Sequence, residues 1–359
     1  MNRSTKAVVL GGSGFLGRRL VALISGEAGR EPAWPRFDEV HVADVAPFVE
    51  SPALRAALER TGITLTTSTT DITELDEVRA AVSGATVVFH LASIVDVGLA
   101  KNPRIDRINV DGAQNVAVAC RDEGVKALVY TSSEDVVLSD RPIVAGDESL
   151  PYPTTIVHDY VRTKIEGERR ILQMNGQGGL VTCAIRPVHI YGPEDPHAIE
   201  ASLRALSSGT VPFRLGSGRA RFDVVYVDNV AHGHLLAAGR LLDASSRESV
   251  AGKAFFIGEG YAPNYFDWLE PYAEARGISL PTFKLPDAGV RILARGMEWA
   301  HKLTGAEVPF HRFHYYVLCQ DFFFSNERAR SLLGYRPLVG VDVARERTLA
   351  WVKTLRIED

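Results

Sequence analysis

The segment Leu10-Gly11-Gly12-Ser13-Gly14-Phe15-Leu16-Gly17 constrains this chain more than any other. It follows an apolar run, Lys6–Leu10, and opens a stretch in which Leu16, Leu20 and Ile24 share one helical face. Gly11, Gly14 and Gly17 are therefore spaced G-x-x-G-x-x-G between a strand and a helix. One glycine allows the tight turn, one lets a pyrophosphate approach the backbone, and one packs helix on strand. The helix start then offers unpaired N–H groups to the anion. A bare strand-to-helix turn is the bland alternative, but this placement points to dinucleotide binding.

The following chain keeps the same rhythm. Glu39–Ala43 and Ile63–Ser68 read as strands. Thr86–His90 and Ala127–Thr131 are continuous apolar runs, as strands buried on both faces require. Between those two runs Val110, Ala113, Ala117 and Cys120 recur at helical spacing, and Gly124 is placed to end that helix. A further helix is predicted from about Asp159 to Met174, then a strand over Leu180–Ile185. This alternation predicts an α/β fold with a doubly wound parallel sheet. After Pro187 prolines and glycines break the pattern. A helix is predicted near Ile199–Leu206, a strand at Asp223–Val227, a helix from Asn229 to Leu242 and a core strand at Ala254–Ile257. The predicted organisation is a nucleotide-binding domain over 1–187 and a smaller, mainly helical substrate lobe over 188–359, with 222–258 returning to the core sheet.

The second strand ends at Asp44, where a carboxylate can hydrogen-bond a ribose 2′-hydroxyl and repel a 2′-phosphate. It lies farther past Gly17 than the usual spacing of about 20 residues, and the loop over 26–35 absorbs the excess. NAD is favoured over NADP. Asp71 and Ile72, after the third strand, are placed to reach the adenine.

Composition excludes several other classes. Forty basic and 44 acidic side chains leave no excess of cations for a phosphate backbone, so no nucleic-acid partner is expected. Three scattered cysteines suit a reducing cytosol. The N-terminus predicts no secretory signal, and no integral membrane segment is expected. The nearest candidate, Val290 to Leu303, is interrupted by Arg291, Arg295, Glu298 and Lys302. A cytoplasmic location follows, with a peripheral place on a membrane left open. His232 and His234 cannot share a metal on one helix, and nothing completes a site around His311 and His314, so no metal is expected.

Tyr160 and Lys164 stand at i and i+4, on one face of the predicted helix. A tyrosine is a poor base at neutral pH, but an ammonium nearby stabilises the phenolate. Tyr160 could then exchange a proton with a hydroxyl as hydride leaves the same carbon. The pair follows a buried strand ending in Tyr130-Thr131-Ser132-Ser133.

With these motifs in place, the chain resembles an extended short-chain dehydrogenase/reductase with a Rossmann fold. It is most similar to the 3β-hydroxysteroid dehydrogenase and sterol-4-carboxylate 3-dehydrogenase branch. The glycine turn at 11–17 matches, although Leu10 replaces the family's usual threonine. So do Phe89–Ser93 beneath the adenosine, Asn109-Val110, the serine strand and Tyr160–Lys164. Later matches are Arg186–Pro193, Phe222–His234 and 324–337. The resemblance implies Phe15, Leu16, Leu91, Ala92, Ser93, Ser132, Pro187 and Val188 as further cofactor contacts. It also implies that Ser133 holds the substrate oxygen, Tyr160 is the acid/base, Lys164 binds the nicotinamide ribose, and Asn109 orients Lys164 through water. Decarboxylation of a β-keto acid remains an option. A homodimer built on helices near 108–123 and 159–174 is implied as well.

Asp96 and His189 are candidates for the border of the substrate cavity, each with a purely structural role as the alternative. The aromatic residues Phe310, Phe313, Tyr315, Tyr316 and Phe322–Phe324 read as core before ligand box. The expected substrate is a small hydrophobic alcohol or ketone, such as a steroid or sterol acid. A nucleotide-sugar epimerase or dehydratase using the same residues, and a non-catalytic NAD sensor, stay open as alternatives.

Overall fold

The computed structural model describes residues 5–156 and 158–356. Seven parallel strands form its centre: β1 (Lys6–Leu10), β2 (Glu39–Asp44), β3 (Thr64–Thr69), β4 (Val87–His90), β5 (Ala127–Thr131), β6 (Val181–Pro187) and β7 (Ala254–Ile257). Their spatial order is β3-β2-β1-β4-β5-β6-β7, so strand order reverses between β1 and β4. Doubly wound sheets bind ligands at such a switch point, beyond the carboxyl ends of the strands.

Alternate residues of each central strand enter different cores. Val9, Phe89, Val129 and Cys183 face one layer of helices. Val8, Val88, Leu128 and Ala184 face the other. That is why these strands carry no polar alternation. The edge strand β3, with four threonines, has no buried residue and is exposed at Thr64, Thr67 and Thr69.

Four helices position the site. Helix α1 (Phe15–Ile24) follows β1 directly. A short helix at Arg104–Asp106 passes through a π-helical stretch, Arg107–Gly112, into α2 (Ala113–Asp122). Helix α3 (Asp159–Gln173) carries the tyrosine–lysine pair. Helix α4 (Val227–Leu242) is apolar nearly all round and buried over most of its length, packed on α1.

The domain boundary differs from expectation in one respect. Of the span 222–258 only β7 joins the central sheet. Val188 N–H donates to Ile257 C=O at 3.1 Å, the last bond of that ladder. Beyond it the chain peels away, and His189–Tyr191 pairs with Val224–Tyr226 as a separate parallel ribbon. Phe322–Phe324 pairs in the same manner with Ile143–Gly146. The C-terminal aromatic residues pack as core: Phe322 and Phe324 join the main cluster, and Tyr315 packs with Phe266, Val290 and Ala294. Helix Asp287–Thr304 leaves Ile292, Trp299 and Leu303 exposed. Among the described residues no helix is long and apolar enough to cross a membrane.

Candidate active site

The glycine turn is built by close backbone approach. Gly11 sits at φ +83°, and a Cβ there would lie 2.5 Å from Ala92 N. A Cβ on Gly17 would lie 2.6 Å from Gly12 Cα. Leu91 and Ala92 N–H both donate to Leu10 C=O, at 2.9 and 3.0 Å, so the segment after β4 is laced to the turn. Gly14 begins α1 without any side-chain cap. The first amides of a helix have no intrahelical partner, so those of Phe15 and Leu16 are presented for an anion. This cradle, which side chains would fill, fits a dinucleotide pyrophosphate.

Asp44 stands beside it. Its carboxylate accepts from Ser13 N–H at 3.0 Å and from Ala46 N–H at 2.9 Å. It therefore holds the turn as well as lining a cavity of 270 Å³ with Ser13, Ala46, Phe48 and Thr67–Thr69. Asp71 accepts from Thr73 N–H at 2.9 Å, while the Ile72 side chain is buried against Gly112. The structure thus engages Ile72 in packing.

The reactive groups converge at the end of β5. Lys164 is buried, and its Nζ donates to Thr131 C=O at 2.7 Å. Burial drives the Lys164 ammonium down to about 7, against the charges of Glu168 and Asp135. Tyr160, one helical turn earlier, is buried, and Ser133 opposes the upward shift of its phenol. Burial, then the charge of Asp135, pushes the Tyr160 phenol up, and Glu134 adds to the rise. The lowering expected from Lys164 is therefore not produced by the protein groups. Ser133 Oγ lies between Tyr160 and Asp135, and it donates to Asp135 Oδ2 at 3.0 Å. Ser132 and Pro187–Val188 lie buried near the ends of β5 and β6.

The Asn109 side chain is engaged by the segment after β4 and by α3. Its Oδ1 accepts from Ile94 N–H at 2.8 Å, and its Nδ2 donates to Ile94 C=O and Thr163 Oγ1 at 2.9 and 3.1 Å. The side chain pins the segment after Ser93 to α3, next to Lys164. Asp96 likewise serves its own loop, accepting from Gly98 N–H at 3.0 Å and Asn102 Nδ2 at 2.8 Å. His189 packs its ring 4.8 Å from Phe222 and 6.2 Å from Trp268, centroid to centroid.

Three supporting residues escaped sequence reasoning. His158 caps α3, with its Nδ1 accepting from Tyr160 N–H at 3.1 Å and its Nε2 meeting Gly98 C=O at 2.7 Å. A histidine just before the pair was the only signal. Glu168 is buried and accepts from Arg186 Nε at 3.0 Å and from Tyr152 OH at 2.6 Å, which fixes α3 to β6. Asp135 follows Ser133 by two residues, with no motif to mark it. His234, weighed as a metal ligand, meets Thr131 Oγ1 at 2.7 Å.

Comparison with known proteins bears on the family and the fold. A 3-beta hydroxysteroid dehydrogenase of Mycolicibacterium neoaurum is 33% identical over 98% of this chain and 92% of its own length. The human sterol-4-alpha-carboxylate 3-dehydrogenase, decarboxylating, is 31% identical over 99% of this chain and 90% of its own. Among solved structures, a dTDP-glucose 4,6-dehydratase of Streptomyces venezuelae with NAD bound superposes with a TM-score of 0.72 at 21% identity, covering 98% of this chain and 97% of that one. At that identity the likeness shows the shared fold. The family model described as the 3-beta hydroxysteroid dehydrogenase/isomerase family matches residues 8–287, and the chain belongs to that family.

Proposed function

We propose that the chain is an NAD-dependent dehydrogenase that oxidises a secondary alcohol of a steroid, sterol acid or similar hydrophobic molecule, or reduces the corresponding ketone. The observation that carries this reading is the convergence of Ser133, Tyr160 and Lys164 at the end of β5, beside the glycine cradle. NAD, when bound, supplies the acceptor for hydride from the carbinol carbon. Gly11, Gly14, Phe15, Leu16 and Gly17 hold its pyrophosphate and Asp44 its adenosine ribose. Tyr160 takes the alcohol proton in oxidation and returns it in reduction. Ser133 positions the substrate oxygen. The Lys164 Nζ, with donors to spare beyond Thr131, binds the nicotinamide ribose.

Purified protein with NAD and a 3β-hydroxysteroid is expected to show rising NADH absorbance. Silence there, with turnover of UDP-sugars at constant cofactor, overturns the reading in favour of an epimerase.

The same reading includes a homodimer through α2, α3 and the segment before α2. That surface is polar, with Arg162 paired to Asp106 at 2.8 Å and Arg170 to Asp111 at 3.6 Å. It also includes a cytoplasmic protein that rests on a membrane surface. Exposed Ile292, Trp299 and Leu303, with Arg291, Arg295 and Lys302 on the same helix, support that position.

A further inference from the structure

The serine of the site is not free to choose its hydrogen bonds. Ser133 Oγ donates to Asp135 Oδ2 at 3.0 Å and accepts from Asp135 N–H at 3.2 Å. Asp135 lies in the short 3₁₀ turn Glu134–Val137 that Ser133 caps, so this arrangement is set by the backbone. A hydroxyl has one proton. With that proton directed at the carboxylate and one lone pair taken by the Asp135 N–H, a single lone pair is left for any further partner.

We infer that Asp135 is a positioning residue that sets the polarity of the Ser133 hydroxyl, and so decides whether the site binds an alcohol or a carbonyl oxygen. With Asp135 ionised, Ser133 turns a lone pair toward a substrate oxygen entering between it and Tyr160. That lone pair accepts from an alcohol O–H and offers nothing to a ketone. With Asp135 protonated, the carboxyl donates to Ser133 Oγ. The serine proton then swings toward the substrate and donates to a carbonyl. One proton on Asp135 thus inverts the pattern without moving a heavy atom. The inference rests on the dehydrogenase reading of the site.

The surroundings of Asp135 place this proton within the physiological range. Burial pushes the Asp135 carboxyl up to about 6, and the Ser133 hydrogen bond and the Lys164 ammonium on α3 oppose the rise. Tyr160, also on α3, and Glu134, on the same turn, are the other titratable groups that face it. Glu134 in turn feels Asp223, and burial pushes the Glu134 carboxyl well up. Ionised Asp135 is therefore the form above about pH 6, and the protonated form gains as pH falls through that value.

Two measurements test the inference. Carboxyl-carbon NMR of the whole protein is expected to show Asp135 titrating near pH 6, and moving upward in Ser133→Ala, which removes a bond that favours the carboxylate. An Asp135 in the ordinary carboxylate range, or one indifferent to Ser133→Ala, overturns the inference without any substrate. In the second, the affinities of a 3β-hydroxysteroid for the NAD complex and a 3-ketosteroid for the NADH complex are followed from pH 5 to 7. Their ratio is expected to rise by up to about a hundredfold in favour of the alcohol, and to change less than about twofold in Asp135→Asn. An equal rise in Asp135→Asn overturns it. If neither steroid binds while the NMR coupling of Ser133 and Asp135 persists, the steroid reading fails and the control of Ser133 by Asp135 stands.

Discussion

At the scale of single residues the site divides into groups that a motif announces and groups that only packing reveals. Tyr160 and Lys164 were legible because a helix must place i and i+4 together. Substituting Tyr160→Phe removes the proposed proton carrier alone, so turnover is expected to fall about 10²- to 10⁴-fold while NAD affinity, measured by fluorescence quenching, stays within a few-fold. Asp44 was legible as a strand-end carboxylate, but its bonds to Ser13 and Ala46 were not. Its charge about 5 Å from a 2′-phosphate is worth roughly 3 kcal/mol of repulsion at an effective dielectric of about 20. Asp44→Ala is therefore expected to raise the NADP-to-NAD ratio of kcat/KM by tenfold or more. Steady-state kinetics with both cofactors checks this, and an unchanged ratio would place the discrimination elsewhere. Asn109 shows the opposite limit, since no pattern in the chain tells which groups its amide meets.

Among elements, those buried on both faces within apolar runs were readable and some outside such runs were not. Strands β4 and β5 have no choice but burial, and β7 was placed at its observed limits. Ile143–Gly146 and His189–Tyr191 are too short for a period to show, and each becomes a strand only because a distant segment arrives beside it. The junction of α3 with β6 is another contact of this kind. Glu168 and Arg186 are both buried, so removing one leaves the other charged and unpaired. Glu168→Ala is expected to cost about 3–5 kcal/mol in urea unfolding, most of it from the stranded guanidinium. Glu168→Ala paired with Arg186→Met is expected to recover part of that loss, and no recovery would mean that the pair is not the cause.

For the whole molecule, the doubly wound parallel sheet followed from alternation and the glycine turn, whereas its strand order and the course of the chain after Pro187 did not. The prolines and glycines there mark irregularity without saying which distant strand each piece will join. The exposed face of Asp287–Thr304 bears on where the molecule works. If it rests on lipid, Trp299→Ser together with Ile292→Ser is expected to abolish flotation with anionic vesicles while leaving turnover of a detergent-dispersed steroid within about twofold. Flotation that persists in the double variant assigns the face to another contact.

The ribbon of Ile143–Gly146 and Phe322–Phe324 has a consequence in time. Ile143 N–H bonds Asp321 C=O at 2.6 Å, and Ser325 N–H bonds Gly146 C=O at 2.8 Å, close behind the turn that carries Ser133 and Asp135. During synthesis Ser133 leaves the ribosome nearly two hundred residues before Phe322–Phe324, the strand that completes the ribbon following its turn. The nucleotide cradle can close early, but the reactive end of the pocket must wait for the tail of the chain. A nascent polypeptide would grip its cofactor long before it could use it.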